Sequence, residues 1–290
     1  MHQRWELLGT IPSPSADTVE VGPLSITAYG VCIALGVLAA VSFARARWRA
    51  RGGRADDVTD VALWAVPAGI IGARVYHIVN DWRPWYEWIE IWNGGLGIGG
   101  GLVGGILTGY LVARRRGLDV AEFLDAAIPA IPIGQALGRF GNWFNQENFG
   151  TPTDLPWALR IDAEHRPAGY ADHDTFHPAF LYEAAWNVVL VVVLVRLDRR
   201  GVLRQGMTLP AYIVGYSVGR LMIEAIRIDP APVYLGLRFN LWVYGAAVIV
   251  GLVWLIRFGG SAPRPPGNAG LASGGEKGEH PVRSPRRGSS

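Results

Sequence analysis

The sequence is poor in charge, in lysine and in cysteine. Only 18% of its 290 residues are charged, against roughly 25% in soluble domains. Of 27 basic residues, Lys277 is the one lysine and the rest are arginine. A single cysteine, Cys32, excludes a disulfide framework and a cysteine-based metal site. What is plentiful is apolar: 50% of residues are hydrophobic, and there are 38 glycines and 12 tryptophans. A chain this apolar is not disordered. A nucleic-acid partner would need a solvated basic face, and half of this chain wants to leave water. The net charge of +3 therefore says less than the positions of the charges do.

A bilayer core of about 30 Å takes roughly 20 apolar residues per helix. Seven segments qualify: 24–44, 58–80, 96–113, 120–140, 178–195, 207–226 and 237–256. The third holds seven glycines and no charge. The fourth is weaker, with Glu122 and Asp125 at its start and Arg139 at its end. None has the polar face that a helix of a soluble protein needs. Arginines crowd the connectors after segments one, three, five and seven, which together hold 18 of the 27 basic residues. The positive-inside rule puts these connectors in the cytoplasm. The expectation is an all-α polytopic membrane protein of seven transmembrane helices. Its N-terminus is outside and its C-terminus cytoplasmic. The basic cluster follows the first apolar run instead of preceding it, so that run does not read as a cleaved signal peptide.

The connector 141–177 is long enough for a small extracytoplasmic cap, with room for a short strand or two over 151–161. Trp82, Trp85, Tyr86, Trp88 and Trp92 in the loop 81–92 read as an interfacial aromatic belt. Residues 1–258 then form one membrane domain, and 259–290, rich in Gly, Pro, Ser and Arg, read as a disordered cytoplasmic tail.

Ionisable residues inside spans are costly and usually face the bundle interior. Tyr216, Arg220 and Glu224 fall at i, i+4 and i+8, one stripe of the sixth span, with Arg227 just beyond. A self-neutralising Arg220–Glu224 pair explains two of them and leaves the second arginine and the tyrosine unexplained. Arg74 and His77 lie in the second span, where snorkelling and a backbone partner would account for them. Around Arg139 the chain reads Arg139-Phe-Gly-Asn142-Trp-Phe-Asn145-Gln-Glu147-Asn-Phe-Gly150. Guanidinium and amide donors suit phosphate and polyol oxygens, and glycine permits close approach; an amide-rich loop capping a helix end is the plainer reading. His177, Tyr182 and Glu183 open the fifth span, where the helix dipole favours an acid. Tyr29 stands near the outer end of the first. All of these lie toward the outer leaflet, where several arginines make an anion site open to lipid. A phosphate-bearing, membrane-resident ligand fits it. A transporter or flippase of an anionic lipid or metabolite fits as well as an enzyme does.

The run from Arg139 to Gly150 closely resembles the signature of the prolipoprotein diacylglyceryl transferase family. The resemblance covers about 22–258 and includes Tyr29-Gly30, Gly72-Ala-Arg74, Trp92-Asn-Gly94-Gly95, His177-Pro178 with Leu181-Tyr182-Glu183, and the Tyr216, Arg220, Glu224 stripe. It implies seven transmembrane helices with the N-terminus outside, in a bacterial cytoplasmic (inner) membrane. It also implies transfer of the diacylglyceryl group of phosphatidylglycerol to the lipobox cysteine of a prolipoprotein, with no metal and no organic cofactor. Arg139 and Asn142 match residues thought to hold the lipid headgroup; Asn145, Glu147 and Gly150 complete that motif. Tyr29, Arg220 and Glu224 match functional positions, Tyr216 shares their stripe, and Arg74, His177, Tyr182 and Glu183 join the binding set. One departure stands out. The family often has a histidine where this chain has Gly99. Another group must then take the thiol proton, with His77 and Glu224 as candidates, or no base is essential, or the chain is an inactive binder of precursors.

Overall fold

A computed structural model describes residues 10–15, 17–21, 24–81 and 98–260. The aromatic cluster of 82–92, the Trp92-Asn-Gly94-Gly95 motif and nearly all of the 259–290 tail lie outside the described residues. Helices dominate: α1 Ala28–Arg49, α2 Ala55–Asp81, α3 Ile98–Arg115, α4 Val120–Ala127, α5 Ile131–Phe144, α6 Ala179–Arg199, α7 Thr208–Glu224 and α8 Phe239–Phe258. Three short antiparallel pairs decorate them: β1 Thr18–Val21 with β2 Leu24–Thr27, β3 Leu159–Arg160 with β4 Thr175–Phe176, and β5 Val233–Tyr234 with β6 Leu237–Arg238.

Five stretches are long and apolar enough to cross a membrane: Ala28–Arg49, Ala55–Val79, Val120–Phe144, Ala179–Arg199 and Phe239–Phe258. Their outward surfaces are aliphatic. Leu63, Ile71 and Val79 on α2, Val188 and Val189 on α6, and Ile249, Val250 and Ile256 on α8 are all more than half exposed. A surface of that kind belongs in lipid. The fourth apolar segment is not one smooth helix. A 3-10 turn, Ile128–Ala130, separates α4 from α5, because Pro129 and Pro132 remove N–H donors there.

Local chemistry sets the helix starts. Thr27 accepts from the Gly30 N–H at 3.1 Å to begin α1, and Asp119 accepts from the Glu122 N–H at 3.1 Å to begin α4. Helices α2 and α3 pack backbone to backbone: a Cβ placed on Gly72 would overlap the Gly100 carbonyl, and one on Gly100 would overlap the Gly72 carbonyl. The glycine-rich third segment is thus an interface for close helix approach. Gly72→Ala is expected to force this pair apart and cost about 1–3 kcal/mol, measured as a lower unfolding midpoint of the purified protein.

One end of the bundle is arginine-rich, and part of that charge is structural. Arg47 Nη2 donates to Asp198 Oδ2 at 2.8 Å, its Nε donates to the Ala126 carbonyl at 3.0 Å, and Arg51 Nη2 also reaches Asp198. Arg116 pairs with Asp57 and Asp60. Buried Asp125 accepts from the Gly206 and Thr208 N–H groups at 2.8 and 3.1 Å and so caps α7. At the opposite end, Phe149, Leu159, Ile161, Phe176 and Phe180 form a second small core. This core holds the segment between α5 and α6 against the helix ends. One short strand, β3, ends the 151–161 stretch.

Candidate active site

Six helices bring polar side chains to the end of the bundle away from that arginine-rich end. Glu183 on α6, 2% exposed, is the centre. Arg220 Nη1 on α7 donates to its Oε1 at 2.6 Å, and Arg139 Nε on α5 ion-pairs with its Oε2 at 2.7 Å. Helix α6 begins at Ala179, so Glu183 lies beyond the first turn. Two guanidinium partners, more than the helix dipole, account for it.

Arg220 is 6% exposed and has a partner at every nitrogen. Besides Glu183, its Nη2 donates to Glu224 Oε2 at 3.2 Å and its Nε to the Tyr244 hydroxyl at 3.2 Å. Its guanidinium also lies 5.3 Å from the centre of the Tyr244 ring. Tyr216 stands edge-on to Tyr244 at 6.3 Å, within electrostatic reach of Arg220 and Arg139. The helical stripe read from the sequence is real, and its residues turn inward.

Arg139 is different. Its side chain is 23% exposed, its Nη1 donates to Asn142 Oδ1 at 3.0 Å, and its Nη2 has no partner among the described residues. Asn142 in turn donates to Glu147 Oε1 at 2.7 Å, and Asn145 Nδ2 reaches the same oxygen at 3.5 Å. The Tyr29 ring lies against Gly141, where any Cβ would overlap it; glycine is required for this α1–α5 contact. Tyr29 is within electrostatic reach of both Glu147 and Arg139.

Gly150 is pinned between two segments. Its N–H donates to the His177 carbonyl at 2.9 Å, it bridges to Arg227, and a Cβ there would sit 2.8 Å from the His177 Cβ. His177 and Tyr182 form a separate group at the rim. The Trp157 indole donates to the Tyr182 hydroxyl at 2.9 Å, and that hydroxyl lies 3.1 Å from His177 Nδ1. Arg74 is buried on α2 at the same end of the bundle and makes interactions of its own.

A family model described as prolipoprotein diacylglyceryl transferase matches residues 17–257. The chain belongs to that family. Among curated relatives, the phosphatidylglycerol–prolipoprotein diacylglyceryl transferase of Streptomyces griseus is 44% identical over 86% of this chain and 78% of its own length. The protein of the same name from Frankia alni is 46% identical over 85% and 67%, and that of Cutibacterium acnes 44% over 86% and 88%. The match of this diacylglyceryl transferase family member takes in every residue of the ion-pair network.

Four partners in that network escaped the sequence reading: Arg238, Asp229, Asn240 and Tyr244. Arg238 Nε donates to Glu224 Oε1 at 2.8 Å, beside Asn240 Nδ2 at 3.1 Å. Arg238 Nη1 donates to the Asp229 carbonyl at 2.8 Å, and Nη2 to Asp229 Oδ2 at 3.2 Å. Burial alone would raise the Asp229 carboxyl, but the hydrogen bond and charge of Arg227, with the charge of Arg238, outweigh it and hold it below its usual range. The hairpin β5–β6 returns the chain from α7 to α8 and delivers Arg238. The one sequence signal was a lone arginine at the mouth of an apolar span. Arg238→Met is expected to leave Glu224 leaning on Arg220 alone among cations and to cost about 2–3 kcal/mol. A thermal unfolding scan of the purified protein measures it.

Proposed function

We propose that this chain transfers the diacylglyceryl group of phosphatidylglycerol to the cysteine thiol of a prolipoprotein lipobox. The product is a thioether, and glycerol phosphate leaves. The names of the relatives support this pair of substrates. The observation that carries the reading is the buried Arg139–Glu183–Arg220–Glu224 chain, with donors on Arg139 left for an incoming anion. Sulfur attacks the glycerol carbon, the carbon–oxygen bond to phosphate breaks, and its electrons go to the phosphate. The phosphate therefore gains charge as the bond breaks. A fixed guanidinium in a dry site stabilises that charge without having to reorganise. In this reading Arg139 takes the phosphate and Arg220 keeps Glu183 and Glu224 in register beside it. Asn142, Asn145 and Glu147 border the glycerol, while Tyr29, Tyr216, Arg74, His177, Tyr182 and Gly150 shape the walls. The substrate supplies the thiol, so Cys32 on α1 need not react. Neither the donor set nor the reaction calls for a metal or an organic cofactor.

We further propose seven spans, with α3 and α7 added to the five long apolar stretches. The 18 basic residues of the connectors support a cytoplasmic arginine-rich end. The N-terminus is then outside, the C-terminus cytoplasmic, and the site faces the outer leaflet of a bacterial cytoplasmic membrane. Residues 1–258 form the membrane domain, with 141–177 as its outer cap and 259–290 on the cytoplasmic side. The test is chemical. Purified protein in phosphatidylglycerol bilayers, given a lipobox peptide, is expected to add a diacylglyceryl mass to the peptide cysteine. Lipid crossing the bilayer with no covalent product would favour a flippase instead.

A further inference from the structure

The transfer proposed above requires the thiol to give up a proton, and resting on that reading we infer that Glu147 takes it. The described carboxylates of the ion-pair network and of the motif flanking Arg139 differ sharply. Glu183 is 2% exposed and sits between Arg139 and Arg220; Glu224 is 1% exposed and accepts from Arg220, Arg238 and Asn240. Asp229 is held by Arg227 and Arg238. The His177 ring is committed as well. Its Nδ1 shares a hydrogen bond with the Tyr182 hydroxyl, which also accepts from Trp157.

Glu147 alone of these is exposed, and only half of it is spoken for. Its Oε1 accepts from the Asn142 and Asn145 amides, while its Oε2 has no partner among the described residues. Asn142 also accepts from Arg139, so one amide separates this carboxylate from the guanidinium assigned to phosphate. Among the described residues, the Tyr29 hydroxyl of α1 lies within electrostatic reach of it, and Arg139 of α5 is one amide away through Asn142. The backbone holds it in place. Gln146 and Asn148, on either side, have φ of 49° and 58°, a left-handed conformation that non-glycine residues adopt at a cost. Each is tied down by its side chain: Gln146 exchanges hydrogen bonds with Asp162, and Asn148 accepts from Arg227. A strained turn fixed at both flanks around an exposed carboxylate, with one oxygen left over, is an arrangement built to present that oxygen.

In the step, the S–H proton passes to Glu147 Oε2. The sulfur pair forms the S–C bond, the C–O bond to phosphate breaks, and glycerol phosphate departs with those electrons. The proton then leaves Glu147 to water. A carboxylate is a weaker base than a thiolate, so transfer occurs together with attack.

Glu147→Gln tests this, because Gln keeps the length and the Oε1 acceptor and exchanges the charged, basic Oε2 for an amide NH2. Expected is a fall in kcat of about 10²-fold or more at neutral pH, larger than any change in KM for phosphatidylglycerol, whose glycerol Glu147 also borders. The residual rate should rise about tenfold per pH unit up to the thiol pKa of ~8.5, where the wild type is nearly flat. Glu147→Asp should recover the flat profile at a reduced rate, and this guards against a folding defect in the Gln variant. An unchanged kcat, or a raised KM with kcat intact, overturns the assignment. Wild-type protein that makes no thioether overturns the transfer reading as well; wild-type product with an unimpaired Gln variant overturns this assignment alone.

Discussion

Arg220→Ala is expected to remove transferase activity and to destabilise the fold together. The guanidinium is 6% exposed and donates to Glu183, Glu224 and Tyr244 at once. Removing it leaves Glu224 to Arg238 and Asn240, and Glu183 to Arg139 at 2.7 Å and Arg227 at 4.0 Å. Breaking a buried pair from one side costs about 3–5 kcal/mol. Losing the guanidinium that keeps Glu183 and Glu224 in register beside the phosphate-binding Arg139 misplaces the site and costs a further factor of about 10² in kcat. Arg220→Lys should fail nearly as badly, because a single ammonium cannot serve three acceptors from one planar fork. Thioether formation and an unfolding scan on the same preparations test both parts. Lys at wild-type rates would mean that Arg220 acts as a point charge only.

Glu183→Ala carries the second large effect, and here stability comes first. The carboxylate lies between Arg220 at 2.6 Å and Arg139 at 2.7 Å. Without it, two cations on facing helices lose their common, buried counter-charge, again at about 3–5 kcal/mol. Arg139→Ala should cost the fold less, because Arg139 is 23% exposed and has fewer commitments, yet it should cost activity more. That ordering is the content of the prediction. Unfolding midpoints should rank wild type, then Arg139→Ala, then Glu183→Ala. A fold as stable in Glu183→Ala as in the wild type would mean that the ion-pair chain is not what ties α5, α6 and α7 together.

The sequence carried some of this and could not carry the rest. Apolar runs and helical spacing are local, so the five long apolar stretches and the Arg220–Glu224 pair were legible, as was the polar run ending at Gly150. The break at Ile128–Ala130 was signalled by Pro129 and Pro132 but masked by the apolar residues around them. Glu183 read as an acid at a helix start, because its pairing with Arg139 and Arg220 arises only when α6 packs against α5 and α7. Arg238 reaches Glu224 from fourteen residues on, through a hairpin whose path no periodicity encodes. Arg47, Arg51 and Arg116 read as a topology signal, yet their pairing with Asp198, Asp57 and Asp60 makes them part of the packing too. The left-handed flanks of Glu147 are backbone facts that residue type signals only in part: Asn148 is a type that tolerates this conformation, and Gln146 is not.

The central claim is that group transfer takes place where Arg139 meets the buried Glu183–Arg220 pair. The most direct measurement follows thioether and glycerol phosphate together. Wild-type protein and Arg139→Ala are each reconstituted with phosphatidylglycerol and a lipobox peptide. The account predicts equimolar formation of both products by the wild type. It predicts a parallel loss of about 10²-fold or more of both in the variant. Wild-type rates from Arg139→Ala, or glycerol phosphate released without thioether, would contradict it.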